Sequence, residues 1–292
     1  MGATSFKKII SYVPPRNVKG YQKFYFWLFL GPTIIYLFAW KFIPLLYTIF
    51  LSFTSWNPLK GGKAVLEGIG NYVQLLKDGD FLHSLYVTLA FTLAATLLEF
   101  ILGLIIALLL DDGIRGQNIY TTIILIPMVI APAVVGTIWY ILYHETIGPL
   151  NYLFKGFGLQ IGWLRNPKLA LPSIILTDIW HWMPFMFLLI LSGLQVIPRE
   201  LYESAGVDGA NWFQTLLFVK LPQLRNTMAV AIIMRSMDAF RVFDEIMLMT
   251  GGGPGKSTET TSILIYKNAF KFFELGYSST LVVVLLMLSL LM

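Results

Sequence analysis

The stretch "RELYESAGVDGANWFQTLLFVKLPQLR", residues 199–225, is a polar interruption in an apolar chain. It lies between two apolar runs, about 171–194 and 227–249, each close to the roughly 20 residues that cross a bilayer core. Just before it, Pro198 suits the first turn of a helix, and Glu200 and Glu203 follow where acids complement the helix dipole. Gly209 breaks the helical run. A second amphipathic segment, "ANWFQTLLFVK", then carries Trp212, Leu216 and Val219 at helical spacing. Leu221-Pro222 is expected to end it, because proline disfavours helix at the residue before it. The pattern predicts two short helices joined at a glycine and laid along a membrane face. An ordinary interfacial helix pair would read the same way.

The rest of the chain fits that setting. Of its 292 residues, 57% are hydrophobic and 13% charged, with a mean hydropathy of +0.71. A water-soluble domain of this size needs more charge to cover its surface. Further apolar runs cover about 24–53, 85–110, 119–143 and 277–292, giving about six spans. Helices are the expected spanning element, since backbone groups in lipid must be satisfied internally, and the alternating pattern of a barrel is absent. The fold class is therefore all-α, a polytopic membrane bundle.

Lys7, Lys8, Arg16, Lys19 and Lys23 make residues 1–23 a basic segment and place it in the cytoplasm. Six crossings return the C-terminus to the same side and leave 24–292 as the transmembrane domain, with a cytoplasmic loop at about 195–226. Residues 111–118 also fall inside, and 54–80, 144–170 and 250–276 outside. Lys60, Lys63 and Lys77 run against this orientation. The first run is too long for a cleavable signal peptide. The last, "LVVVLLMLSLLM", is short for a span, which predicts that the natural helix continues past Met292.

Several chemistries find no support. There is no cysteine, His83, His144 and His181 are scattered, and no HExxH, GxSxG or phosphate-binding loop is present. "GGGPGKST" at 251–258 resembles a phosphate loop only faintly, with Pro254 interrupting it and no strand before it. Neither catalytic residues, nor a metal, nor nucleic acid is expected.

The polar loop resembles the coupling motif of permease subunits in binding-protein-dependent ABC importers, E-A-A-x(3)-G-x(9)-I-x-L-P. Glu203, Ser204, Ala205, Gly209, Val219, Leu221 and Pro222 fall at the family's spacing, with Ser204 in place of Ala and Val219 in place of Ile. Asp208-Gly209-Ala210 is typical of the sugar-importer branch. "GIGNYVQLL" (68–76), "LTDIWHWMPFMFLLILSGLQVIP" (176–198) and "DAFRVFDEIMLMTGGGPGKSTETTSILIYKNAF" (238–270) extend the likeness to maltose- and trehalose-type permeases. The resemblance implies a type I (MetI-like) permease fold in the cell membrane. It implies a heterodimer with a second permease subunit, a dimer of ATP-binding subunits that hold ATP and magnesium, and an extracytoplasmic sugar-binding protein. This chain itself would bind no cofactor. The segment Glu203 to Pro222 would dock into a cleft of the ATPase.

Charges inside a membrane are costly and usually mark a pathway or a buried pair. Asp178, His181, Trp182 and Phe185 lie on one stripe of the fourth run, combining aromatic faces with hydrogen-bonding groups, as sugar rings require. In the fifth run Arg235 and Asp238, Asp238 and Arg241, and Arg241 and Glu245 are three, three and four residues apart. A ladder of intrahelical pairs that merely seats a polar helix in the bundle explains these charges as well as a solute pathway does. The resemblance implies a solute site midway across the membrane near Asp178, His181, Trp182, Phe185, Arg235, Asp238, Ala239 and Val242. Glu99 is expected to pair with a base such as Arg235, and the spacing of Gly103 and Ala107 favours close helix packing. A di- or oligosaccharide is the expected solute; glycerol phosphate, another small polar solute, or a stand-alone secondary transporter are the alternatives.

Overall fold

The computed structural model describes residues 18–61, 63–111, 113, 115–156 and 158–292. Most of the basic segment 1–23, and Asp112, lie outside the described residues. The first apolar run is α1 (Val18–Leu37), which passes through a π-turn at Phe38–Phe42 into α2 (Ile43–Ser52). It is apolar on nearly every side, and Phe24, Trp27, Phe29, Ile35 and Trp40 are uncovered by the rest of the chain, as expected of a helix that faces lipid. A two-stranded hairpin follows, β1 (Thr54–Ser55) against β2 (Val65–Leu66). Asn71, on α3 (Gly70–Lys77), ties it to the end of α2 by donating to Ser52 O and Thr54 O at 3.0 and 2.9 Å.

The second span, α4 (Gly79–Asp111), is a single helix of 33 residues with no proline in it. The third run is not one straight helix. Its halves, α5 (Gln117–Val129) and α6 (Pro132–Leu142), meet at 94°. Pro132 disfavours helical backbone at Ala131, and Ile130 and Ala131 are both extended, with ψ near 136° and 137°. After α7 (Pro149–Lys155) comes the fourth span, α8 (Pro167–Gln195), whose start is capped by Asn166 Oδ1 accepting from Lys168 N at 2.9 Å.

Next comes α9 (Arg199–Val207). The helix after it does not stop at Leu221-Pro222 as the proline suggested. α10 (Trp212–Thr215) runs through a π-turn at Leu216–Lys220 directly into α11 (Leu221–Ala239), making one 28-residue span. The π-turn explains the tolerance. Leu221 N bonds back to Leu216 O, so Pro222, which has no N–H, falls in the first turn of a new α-helical stretch. The fifth run does break, but later. α11 ends at Ala239, and α12 (Asp244–Met249) starts after a turn. α13 (Thr261–Tyr266), a π-turn at Lys267–Lys271 and α14 (Leu275–Leu291) complete the chain. Counting the bent pair once and α14 as a short span, the six apolar runs are all helical.

The bundle is centred on α4 packed along α8. Ala107 meets Phe187, Ile190, Leu194 and Leu224 in the core. Gly103 lets the two backbones touch: a Cβ there would sit 2.8 Å from Met186 Cβ and 2.9 Å from Phe187 N. Gly103→Ala is therefore expected to destabilise by about 1–3 kcal/mol, the usual penalty of overpacking. A lowered thermal midpoint of the purified protein checks this, and an unaltered midpoint would contradict it.

Contacts sort the loops into two ends. At one end Lys256 pairs with Asp80 at 2.6 Å, and His83 Nε2 lies 3.0 Å from Lys256 O. The hydrogen-bonded Asp80 carboxylate raises the Lys256 pKa above its ordinary value. At the other end Lys220 pairs with Asp111.

Candidate functional site

The motif residues form a defined helix cap. Gly209 sits in left-handed backbone, with φ of +73°. Gly209 N donates to Gly206 O at 3.1 Å and Ala210 N to Ala205 O at 2.9 Å. That is the Schellman pattern, in which a left-handed residue closes the last carbonyls of a helix; glycine suits it because it has no Cβ. Asp208 N also donates to Ser204 O, at 3.0 Å. Two residues after the glycine a capping box opens the next helix. Asn211 Oδ1 accepts from Gln214 N at 2.9 Å, and Gln214 Oε1 accepts from Asn211 N at 2.8 Å. The chain thus turns from α9 into α10 with its backbone satisfied on both sides.

Ala205 is the buried face of α9, while Glu203, Ser204, Asp208, Gly209 and Pro222 are exposed and Ala210, Val219 and Leu221 half-buried. Val207, at 88% exposure, and Phe218, at 76%, leave an apolar surface here uncovered. Beside it lies an open cleft of about 660 Å³ lined by Tyr202, Glu203, Ala210, Trp212 and Lys220, among others.

The second cluster lies between the spans. Arg235 on α11 is 2% exposed and holds three acids. Its Nε and Nη2 donate to the two oxygens of Glu99 on α4, at 2.6 and 3.0 Å. Its Nη2 also donates to Asp178 on α8, and its Nη1 to the exposed Asp238 at 3.3 Å. The guanidinium lies 5.3 Å from the centre of the Trp182 ring. One side chain therefore joins α4, α8 and α11. Only arginine offers this planar fork with donors to spare.

His181 makes a second junction. Its Nε2 is 3.0 Å from Ile130 O, the carbonyl exposed at the α5–α6 bend, and its Nδ1 is 2.7 Å from Glu245 Oε1 on α12. A carbonyl can only accept, so Nε2 carries a proton. Nδ1 and Glu245 then share one further proton between them. His181 and Glu245 are 0% and 2% exposed.

Of these residues, Asp178, Trp182, Arg235, Asp238 and Glu245 border a cavity of about 320 Å³, lined also by Val242, Pro132, Arg241, Phe243 and Asp244. Five of the eight residues expected along a pathway converge here. His181, Phe185 and Ala239 lie outside the lining: His181 is buried at its junction, Phe185 is half-buried, and Ala239 packs in an apolar cluster with Phe91 and Ile174. The expected ladder of helical pairs holds only for Arg235 and Asp238. Arg241 does not meet Glu245 along a helix, because α11 ends at Ala239; its Nε donates to Met237 O at 3.0 Å, and Glu245 turns to His181. Glu99 pairs with Arg235 as expected. Pro132 and the Ile130 carbonyl were not foreseen. The proline that follows the bend was the available signal; a backbone acceptor has none in residue identity.

Comparison with known proteins agrees with this architecture. Residues 99–292 match the family described as binding-protein-dependent transport system inner membrane component. The trehalose/maltose transport system permease protein MalF of Thermococcus litoralis is 39% identical over 210 residues, 72% of this chain and 70% of that protein. The trehalose transport system permease protein SugA of Mycobacterium tuberculosis is 34% identical over 258 residues, 88% of this chain and 82% of that one. A chain in the crystal structure of a bacterial alginate ABC transporter, in complex with an alginate pentasaccharide-bound periplasmic protein, superposes with a TM-score of 0.80 at 22% identity, covering 92% of this chain and 91% of the other. Its likeness carries the fold. With the spans, the glycine-capped loop and these relatives in view, the chain belongs to the inner-membrane components of binding-protein-dependent transport systems.

Proposed function

We propose that this chain forms half of the translocation pathway of an ABC importer for an uncharged di- or oligosaccharide such as trehalose or maltose. The other half is a second permease subunit. An extracytoplasmic binding protein delivers the solute, and a dimer of ATP-binding subunits, which hold ATP and magnesium, drives the cycle. Residues 195–226 and both termini face the cytoplasm, and α9 with its Gly209 cap docks on an ATPase subunit. Closure of that dimer then rocks the spans between inward- and outward-facing states. This chain supplies no catalytic group of its own.

The observation that carries the reading is the cavity beside Arg235. Trp182 offers a flat apolar surface to the C–H face of a sugar ring, and Asp238, Arg241 and Asp244 offer acceptors and donors to its hydroxyls. The trehalose- and maltose-named relatives support the same solute class. The sn-glycerol-3-phosphate transport system permease protein UgpA of Brucella abortus, 31% identical over 258 residues, keeps an anionic solute as the rival. The charge balance opposes it. Asp178, Asp238, Asp244 and Glu245 face two arginines, and one of those, Arg235, is already held by Glu99, Asp178 and Asp238.

The test is uptake by the whole complex, with its binding protein, in proteoliposomes. Asp238→Ala removes a charged hydrogen-bonding group, a loss of about 1.5–3 kcal/mol and so roughly tenfold or more in transport efficiency. Trp182→Ala is expected to reduce sugar uptake comparably. Unaltered uptake and preference in both variants would remove the site from this cavity, and uptake without the ATPase subunits would favour a secondary transporter. A reporter active only outside the cytoplasm, if active when fused in 195–226, would reverse the orientation.

A further inference from the structure

Lys220 lies inside the coupling segment, in the x position of its I-x-L-P signature, where the motif sets no residue. Its side chain is nonetheless buried. The ammonium bonds Asp111 Oδ2 at 2.8 Å, with the two side chains 6% and 12% exposed, and lies 5.5 Å from the centre of the Tyr202 ring. Asp111 is the last residue of α4, Tyr202 lies on α9, and Lys220 closes the π-turn that leads into α11. Three elements therefore meet at one ammonium group.

We propose that Lys220 is a positioning residue that keys the coupling unit to α4, so that movement entering at α9 reaches two spans and not one. The inference rests on the coupling role proposed above. α11 receives the movement directly, because the chain from Trp212 to Ala239 is one continuous helix. α4 has no such covalent link to the unit. A buried ion pair resists separation, since each partner left alone would be a charge out of water. The unit and the end of α4 thus move together. α4 is unbroken from Gly79 to Asp111, so a displacement at Asp111 is carried to Glu99, about 18 Å along the axis at the helical rise per residue. Glu99 grips Arg235 at the wall of the cavity. The π-turn has a place in this account: its extra residue per turn sets where Lys220 projects.

The experiment uses the full complex in proteoliposomes with its binding protein. Radiolabelled maltose and trehalose serve as probes, and the readout is solute imported per ATP hydrolysed. The double variant K220M/D111L replaces both members of the ion pair by apolar side chains of similar size, so it is expected to assemble as the parent does. Its import per ATP is expected to fall at least fivefold. The swapped pair K220D/D111K is expected to return it to within twofold of the parent. Normal coupling in K220M/D111L would overturn the proposal, and so would an uncoupled K220D/D111K. A parent complex that hydrolyses ATP without importing either sugar would instead count against the transport reading on which the inference rests.

Discussion

Gly209→Pro is expected to leave the protein in the membrane and to abolish ATP-coupled uptake. Proline fixes φ near −65°, whereas Gly209 has φ of +73°. Proline also deletes the N–H that bonds Gly206 O. The cap between α9 and α10 then cannot form, and the angle at which α9 is presented is lost. The spans themselves do not depend on this turn, so membrane abundance by immunoblot should be close to the parent's while uptake falls at least a hundredfold. Gly209→Ala supplies the graded control. Nothing lies within 4 Å of a Cβ built there, so the penalty is only that of left-handed backbone, about 1–2 kcal/mol, and uptake should fall partway. Normal uptake by Gly209→Pro would sink the coupling assignment.

The second large effect is at Arg235. Arg235→Met leaves Glu99 and Asp178 buried without a countercharge. Breaking a buried ion pair from one side usually destabilises by about 3–5 kcal/mol. A strong drop in the amount of protein in the membrane and in the thermal midpoint after purification is expected. Arg235→Lys should recover only part, because an ammonium cannot reproduce the bidentate grip on Glu99. The triple variant R235M/E99Q/D178N, which removes the stranded charges, should recover most of the abundance without transport. Arg235→Met protein as abundant and heat-stable as the parent would show that the three acids do not need this residue.

These two sites show what sequence alone discloses. Gly209 was legible because a left-handed cap has a strong residue preference and because the motif fixes its neighbours by number. The Glu99–Arg235 pair was legible because an acid and a base in different apolar runs have few alternatives. The end of α11 was not legible. Apolar periodicity continues through Phe240, Val242 and Phe243, so the break at Ala239 leaves no trace in the pattern, and the four-residue spacing of Arg241 and Glu245 reads as a helical neighbourhood that is not there. Pro222 misled in the opposite sense: a π-turn supplies the one place in a long helix where its missing N–H does no harm. His181 was legible as a polar residue on the α8 stripe, but its function in the fold rests on a backbone oxygen 51 residues away.

The shared guanidinium also bears on how the protein is made. Glu99 precedes Arg235 by 136 residues, and Asp178 precedes it by 57. α4 is apolar enough to carry one acid into the bilayer unaided, whereas α11 is the least apolar of the four long spans and bears the arginine. A charged residue within a membrane helix opposes insertion, most strongly near the middle of the span. The last of the three helices to leave the ribosome is thus the one that needs the other two already in place, and biogenesis of α11 becomes a docking event as much as an insertion.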